Sequence, residues 1–195
     1  MAGTWYPDQP EALAGIIDGY LKQVRPVDGV PTALIVPHAG YRYSGAVAAH
    51  GFKQLEAANI DTAVVIASDH QPPMSRPISV WAKGGYETPF GVLPVNEELA
   101  SRLIDHDDRI RFDPETHAHE HPVEIELPFL KQVCPDCRIV PVMIGGVDDE
   151  TVRVLAEALL EALPTEGVVI IASSDLSHYP PYDQARDVDE ATLAA

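Results

Sequence analysis

The chain has 195 residues, the length of one domain, and sets 13 Lys and Arg against 30 Asp and Glu for a net charge of -17. Such a surface has no clustered cations with which to displace counterions from a nucleic acid or to dock on anionic lipid. At 46% hydrophobic the chain is also too apolar to stay disordered.

Residues 1–7, Met1-Ala2-Gly3-Thr4-Trp5-Tyr6-Pro7, contain neither a basic nor an apolar leader region, and no apolar run approaches a membrane span. Residues 32–36 form a short apolar run that predicts a strand, and residues 44–58 carry a helical pattern. A second β-branched run covers 62–67. Residues 78–81 and 84–95 read as strands or loops over one sheet edge. Asn96 caps a helix through Ile104, a further helix spans 122–133, and 138–144 is a third strand. Asp148-Asp149-Glu150 complements the dipole of an amphipathic helix through Leu163, which Pro164 and Gly167 stop. Residues 167–172 make a fourth strand, and a last helix starts near Tyr182. Continuous apolar runs suit strands buried on both faces. Alternation of strand and helix predicts an α/β fold in three layers, α/β/α, around a mostly parallel or mixed sheet. Without repeats or linkers, residues 1–195 read as a single domain. The final helix still runs at Ala194-Ala195 with no cap, which suggests a truncated C-terminus.

Two cysteines cannot build a disulfide framework, so a reducing cytoplasm is the default expectation. Cys134-Pro135-Asp136-Cys137 follows a helix instead of opening one, so no helix dipole activates a thiol, and no second pair exists to complete a zinc site. Incidental loop cysteines are expected. Walker A and GxGxxG motifs are absent.

The chemistry lies where strands stop. The first strand runs into Pro37-His38-Ala39-Gly40-Tyr41, the second into Ser68-Asp69-His70, and the fourth into Ser173-Ser174-Asp175-Leu176-Ser177-His178. Open parallel sheets bind ligands beyond the carboxyl ends of their strands, so three strands deliver imidazole, carboxylate and hydroxyl groups to one rim. A fourth contribution comes from residues 116–124, where Pro122 at a first helical position puts His121 at the N-cap. Glu124, three residues on, can share its face. His117 and His119 read as solvated loop imidazoles, and His50 and His106 as surface residues. Imidazoles and a carboxylate from separate elements, with positions left open, suit a divalent metal such as Fe(II), Zn or Mn. His38 and His70 are the best two ligands; the third is open among Asp175, Ser177, His178 and Asp69. A serine hydrolase using Ser174 or Ser177 is disfavoured, because no GxSxG elbow is present and adjacent Ser177 and His178 point apart.

These motifs, with Leu127-Pro128-Phe129 added, occur in the order of the Memo family, which the chain resembles over almost its whole length. Its microbial members are called AmmeMemoRadiSam system protein B. The resemblance implies a fold similar to the LigB-like class III extradiol dioxygenases, in which two His and a carboxylate hold Fe(II) and another His is the acid/base. It sets His38 and His70 as metal imidazoles and His121 as the acid/base, with His178 and Tyr41 as supporting or substrate-facing residues. Animal members carry Cys in place of Ser177, whose neutral hydroxyl is a weaker ligand, so Asp175 or water would complete the set. The implied cofactor is Fe(II), with Cu or Zn as alternatives. The implied partners are a small-molecule or peptide ligand, a radical SAM protein and an AMMECR-type protein. The competing expectation is a non-enzymatic module that binds a peptide, a small ligand or a metal in the same cleft.

Overall fold

A computed structural model describes residues 1–70, 77–145 and 148–194. Ala195, the end of the expected last helix, lies outside them. Helix α1 (Pro10–Leu21) was not among the predicted elements and buries Leu13, Ile17 and Leu21. Strand β1 (Ala33–Val36) leads to α2 (Tyr41–Phe52), which a 3-10 turn at Lys53–Leu55 extends. Then follow β2 (Thr62–Ser68), β3 (Ile78–Val80), and a hairpin of β4 (Gly85–Thr88) and β5 (Gly91–Pro94). Helix α3 (Glu97–Ile104), the two-residue β6 (Ile110–Arg111), α4 (Pro114–Ala118) and α5 (Pro122–Val133) come next. The chain continues through β7 (Arg138–Ile144), α6 (Asp149–Ala162), β8 (Val168–Ser173) and α7 (Tyr182–Ala194).

Six strands form one mixed sheet in the order β1-β8-β2-β7-β3-β6, parallel except where β3 runs against β7. The hairpin β4–β5 is a separate two-stranded sheet. Strands β2 and β7 are central and almost wholly buried, as their continuous apolar runs require. Helices α1, α2 and α5 pack together in one layer, and α3 and α6 pair in another. Phe52 of α2 stacks on Phe129 of α5 with ring centroids 5.1 Å apart. Gly51 lets α2 press onto β1, because a Cβ there would meet Val36 Cγ1 at 2.5 Å. Among the described residues no helix is long and apolar enough to cross a membrane.

Two expectations need correction. Strand β1 is not buried on both faces: it is the sheet edge, its exposure alternates, and Ile35 is 66% exposed. The two cysteines are not incidental thiols, because Cys134 and Cys137 are joined as a disulfide. The Pro135-Asp136 turn after α5 brings their Cα atoms to 5.4 Å, a separation a disulfide can span.

Asn96 ties α3 to the sheet. Its Oδ1 accepts from Leu99 N as an N-cap, and its Nδ2 donates to Thr62 Oγ1 at 2.9 Å. Asn96→Ala removes both bonds and is expected to cost about 1–2 kcal/mol in urea unfolding. An unchanged unfolding free energy would contradict that weight.

Candidate metal centre

The parallel pairing sets Val36 beside Ser173 and Ser173 beside Ala67, so β1, β8 and β2 end at one level. His38, Asp175 and His70 follow directly from those three ends. His121 joins them from the N-cap of α5, where Pro122 occupies the first turn.

The His38 and His70 rings lie 5.5 Å apart and the His38 and His121 rings 5.8 Å apart, both pairs edge-on. His70 and His121 stack at 5.0 Å, and Trp5 packs on His121 at 4.3 Å. Ligand atoms of His38, His70 and His121 lie within 4.8 Å of one another, as do those of His38, Asp175 and His178. The expected set of His38, His70 and Asp175 is thus divided between two groups that share His38.

His38 is buried at 3% exposure. Its Nδ1 is 2.8 Å from Ser173 Oγ, while its Nε2 is buried without a partner among the described residues. Ser173 Oγ in turn donates to Oε1 of the fully buried Glu126 at 2.6 Å. Asp175 Oδ1 accepts from the backbone N–H groups of His38 (2.6 Å) and Ala39 (2.9 Å), which fastens the loop after β8 to the loop after β1. Its Oδ2 is 3.4 Å from His178 Nε2 and 3.8 Å from His38 Nε2. Between them Leu176 holds φ at 61°, the one positive φ at a non-glycine among the described residues, and its carbonyl lies 3.1 Å from His178 Nδ1. A branched aliphatic residue adopts that region only under constraint.

His70 is braced by a residue the sequence reading did not single out. Glu120 Oε1 accepts from His70 N and Oε2 pairs with His70 Nδ1, both at 2.8 Å, and the Glu120 side chain is only 2% exposed. Carboxylates so placed orient metal-binding imidazoles and raise their basicity. Asp69 also hydrogen-bonds Glu120.

Charge follows this geometry. Burial pushes the His38 ring down to about 4; Asp175 opposes that, and the three neighbouring imidazoles add to it. Burial and then His70 lower His121. Burial would raise Glu120, but its hydrogen bonds from His70 and Asp69 outweigh it and hold the carboxylate below its usual range. Burial lifts the Glu126 carboxyl well above that range. Neutral imidazoles present lone pairs, the form in which they bind metals.

Ser177 lines the same rim, but its Oγ is buried without a hydrogen-bond partner among the described residues, and its backbone N–H donates to Asp189. Ser174 Oγ accepts only from Leu176 N, so neither serine is paired with a base among the described residues. Tyr41 faces the core instead of a substrate and donates to Ile125 O. Glu124 pairs with Tyr6 Oη at 2.6 Å in place of His121.

The family model for Memo-like protein matches residues 1–195. A MEMO1 family protein of Aquifex aeolicus is 34% identical over 197 residues, covering 100% of this chain and 72% of the relative. Those of Desulfurococcus amylolyticus and Methanobrevibacter smithii are 33% and 34% identical over 206 residues, covering 99% of this chain and 73% of each relative. The chain belongs to the Memo family.

In this Memo-family chain the rim opens into a cleft of about 1020 Å³ lined by His70, His121, Asp175, Ser177 and His178, with Trp5, Tyr43, Val47 and Tyr179 as its apolar walls. His117 is outside it. The expected solvated imidazole is buried, with Nδ1 2.8 Å from Tyr86 Oη and Nε2 3.1 Å from Ser79 Oγ. Burial pulls its pKa from 6.5 to about 4 against the opposing Ser79 and Asp113 contacts. Between those values the unfolded chain binds a proton that the folded chain does not, so stability is lost as pH falls through that window. His117→Gln removes this linkage. The stability gap between wild type and variant is expected to narrow by about 2 kcal/mol from pH 7 to pH 5. A gap independent of pH would refute it.

Proposed function

We propose that this protein is a metal-dependent member of the Memo family, with one divalent ion held by His38, His70 and His121. The observation that carries the reading is the buried Nε2 of His38, which has no hydrogen-bond partner among the described residues and lies within reach of two further imidazoles. Orphaned buried polar atoms are rare and costly, and a cation answers this one directly. The donors fit: each ring comes from a different loop, and the cleft leaves the remaining coordination positions open.

Each residue then has a task. Glu120 takes the Nδ1 proton of His70 in a hydrogen bond, which turns the other ring nitrogen toward the cleft. Asp175 and His178, paired at 3.4 Å, stand ready to move a proton at a ligand seated beside His38. Trp5 limits how far His121 can swing. A bound Fe(II), the metal the likeness to extradiol dioxygenases favours, would supply Lewis-acid and oxygen chemistry at this rim.

Anaerobically purified wild type is expected to carry stoichiometric metal by elemental analysis, and His38→Ala and His70→Ala to lose it. Asp175→Asn should retain it. Metal lost in Asp175→Asn but kept in His121→Ala would move the ion to the set of His38, Asp175 and His178, and a metal-free wild type would overturn the reading. Oxygen uptake with a panel of catechols would extend it to ring cleavage; a flat trace with metal bound would restrict it to binding.

A further inference from the structure

Glu126 sits on α5 between Ile125 and Leu127 and is 0% exposed. Among the described residues no basic side chain meets it: Oε1 accepts from Ser173 Oγ at 2.6 Å, and Oε2 has no hydrogen-bond partner. A buried carboxyl so poorly satisfied weakens the fold, and an aliphatic side chain would serve α5 better. Its place is explained by what Ser173 touches next. Ser173 Oγ lies between Glu126 Oε1 and His38 Nδ1 at 2.8 Å, and its other acceptor, Pro122 O, is 3.4 Å away. A hydroxyl has one proton. When it is given to Glu126, the oxygen can accept from His38 Nδ1–H. His70 meets a carboxylate directly, whereas His38 meets a buried carboxyl group through a serine.

We propose that Glu126 is a positioning residue: acting through Ser173, it holds His38 as the Nδ1–H tautomer, so that the Nε2 lone pair is presented to the cation site. The inference rests on the metal reading above for its purpose, but the tautomer can be read without metal.

The test compares Glu126→Leu, Glu126→Gln and Ser173→Ala with wild type. Long-range proton–nitrogen spectra of the metal-free protein at neutral pH should show His38 protonated at Nδ1 and bare at Nε2. In Glu126→Leu and Ser173→Ala the ring should become a mixture of tautomers. Titration with Co(II), followed by its visible absorption, should show affinity about 10- to 100-fold weaker in both variants. Glu126→Gln, which keeps an oxygen for Ser173, should bind close to wild type. The melting temperature of Glu126→Leu should equal or exceed that of wild type, an outcome a structural role does not give. His38 protonated at Nε2 in the wild type, or Glu126→Leu with lower stability and unchanged Co(II) affinity, would overturn the proposal. A wild type that takes up no Co(II) but whose tautomer shifts in both variants would remove the metal reading and leave the positioning role standing.

Discussion

Everything at the rim depends on the parallel register of β1, β8 and β2. Parallel strands cannot be offset without breaking their ladder, so pairing Val36 with Ser173 and Ser173 with Ala67 fixes where three loops begin. The carboxylate of Asp175 then ties two of those loops together through the N–H groups of His38 and Ala39. Because these bonds are to backbone, they set the path of the chain and leave Oδ2 directed at imidazole nitrogens. The His38 ring is buried by the same arrangement, with Ser173 of the neighbouring strand as its only hydrogen-bond partner among the described residues.

Charge is used differently at the site and at the surface. The excess of acidic residues amounts to -17, yet the acids closest to the imidazoles are few and each is committed to orientation. Glu120 is low in pKa because it receives hydrogen bonds from His70, whereas Glu126 is high because it is enclosed in apolar side chains. Burial, with the neighbouring imidazoles adding to it, lowers His38 and His121, so at neutral pH these two rings offer lone pairs.

The sequence carried the elements that obey one-dimensional rules. Arg138–Ile144 and Pro122–Val133 were legible to the residue, because a continuous apolar run and a proline at a first helical turn are local signals. Strand ends followed by His38, His70 and Asp175 were legible for the same reason. What could not be read was set by contacts across the fold. Glu120 braces His70 from fifty positions away, and no periodicity marks that pairing. His117 looked like its solvated neighbours because Tyr86 and Ser79 reach it from the hairpin and from β3. Tyr41 adjoins a functional motif in sequence, but the first turn of α2 rotates it into the core. Ile35 shares an apolar run with Val36, and only strand order shows that one of its faces is uncovered.

The competing view, a cleft that binds a peptide or small molecule without metal, accounts for the walls but not for the floor. Trp5, Tyr43, Val47 and Tyr179 would serve any apolar ligand. Such a ligand gives no reason to bury His38 Nε2 without a partner or to crowd three imidazoles within 4.8 Å. Burying His38 costs the protein the protonated form that water would otherwise stabilise, and burying Glu126 adds a further cost. A cation would engage the Nε2 lone pair of His38, which no hydrogen bond among the described residues satisfies. It would bind the folded chain far better than the unfolded one, where the three rings are separated by most of the length between positions 38 and 121, so binding would return stability that the empty cluster gives up.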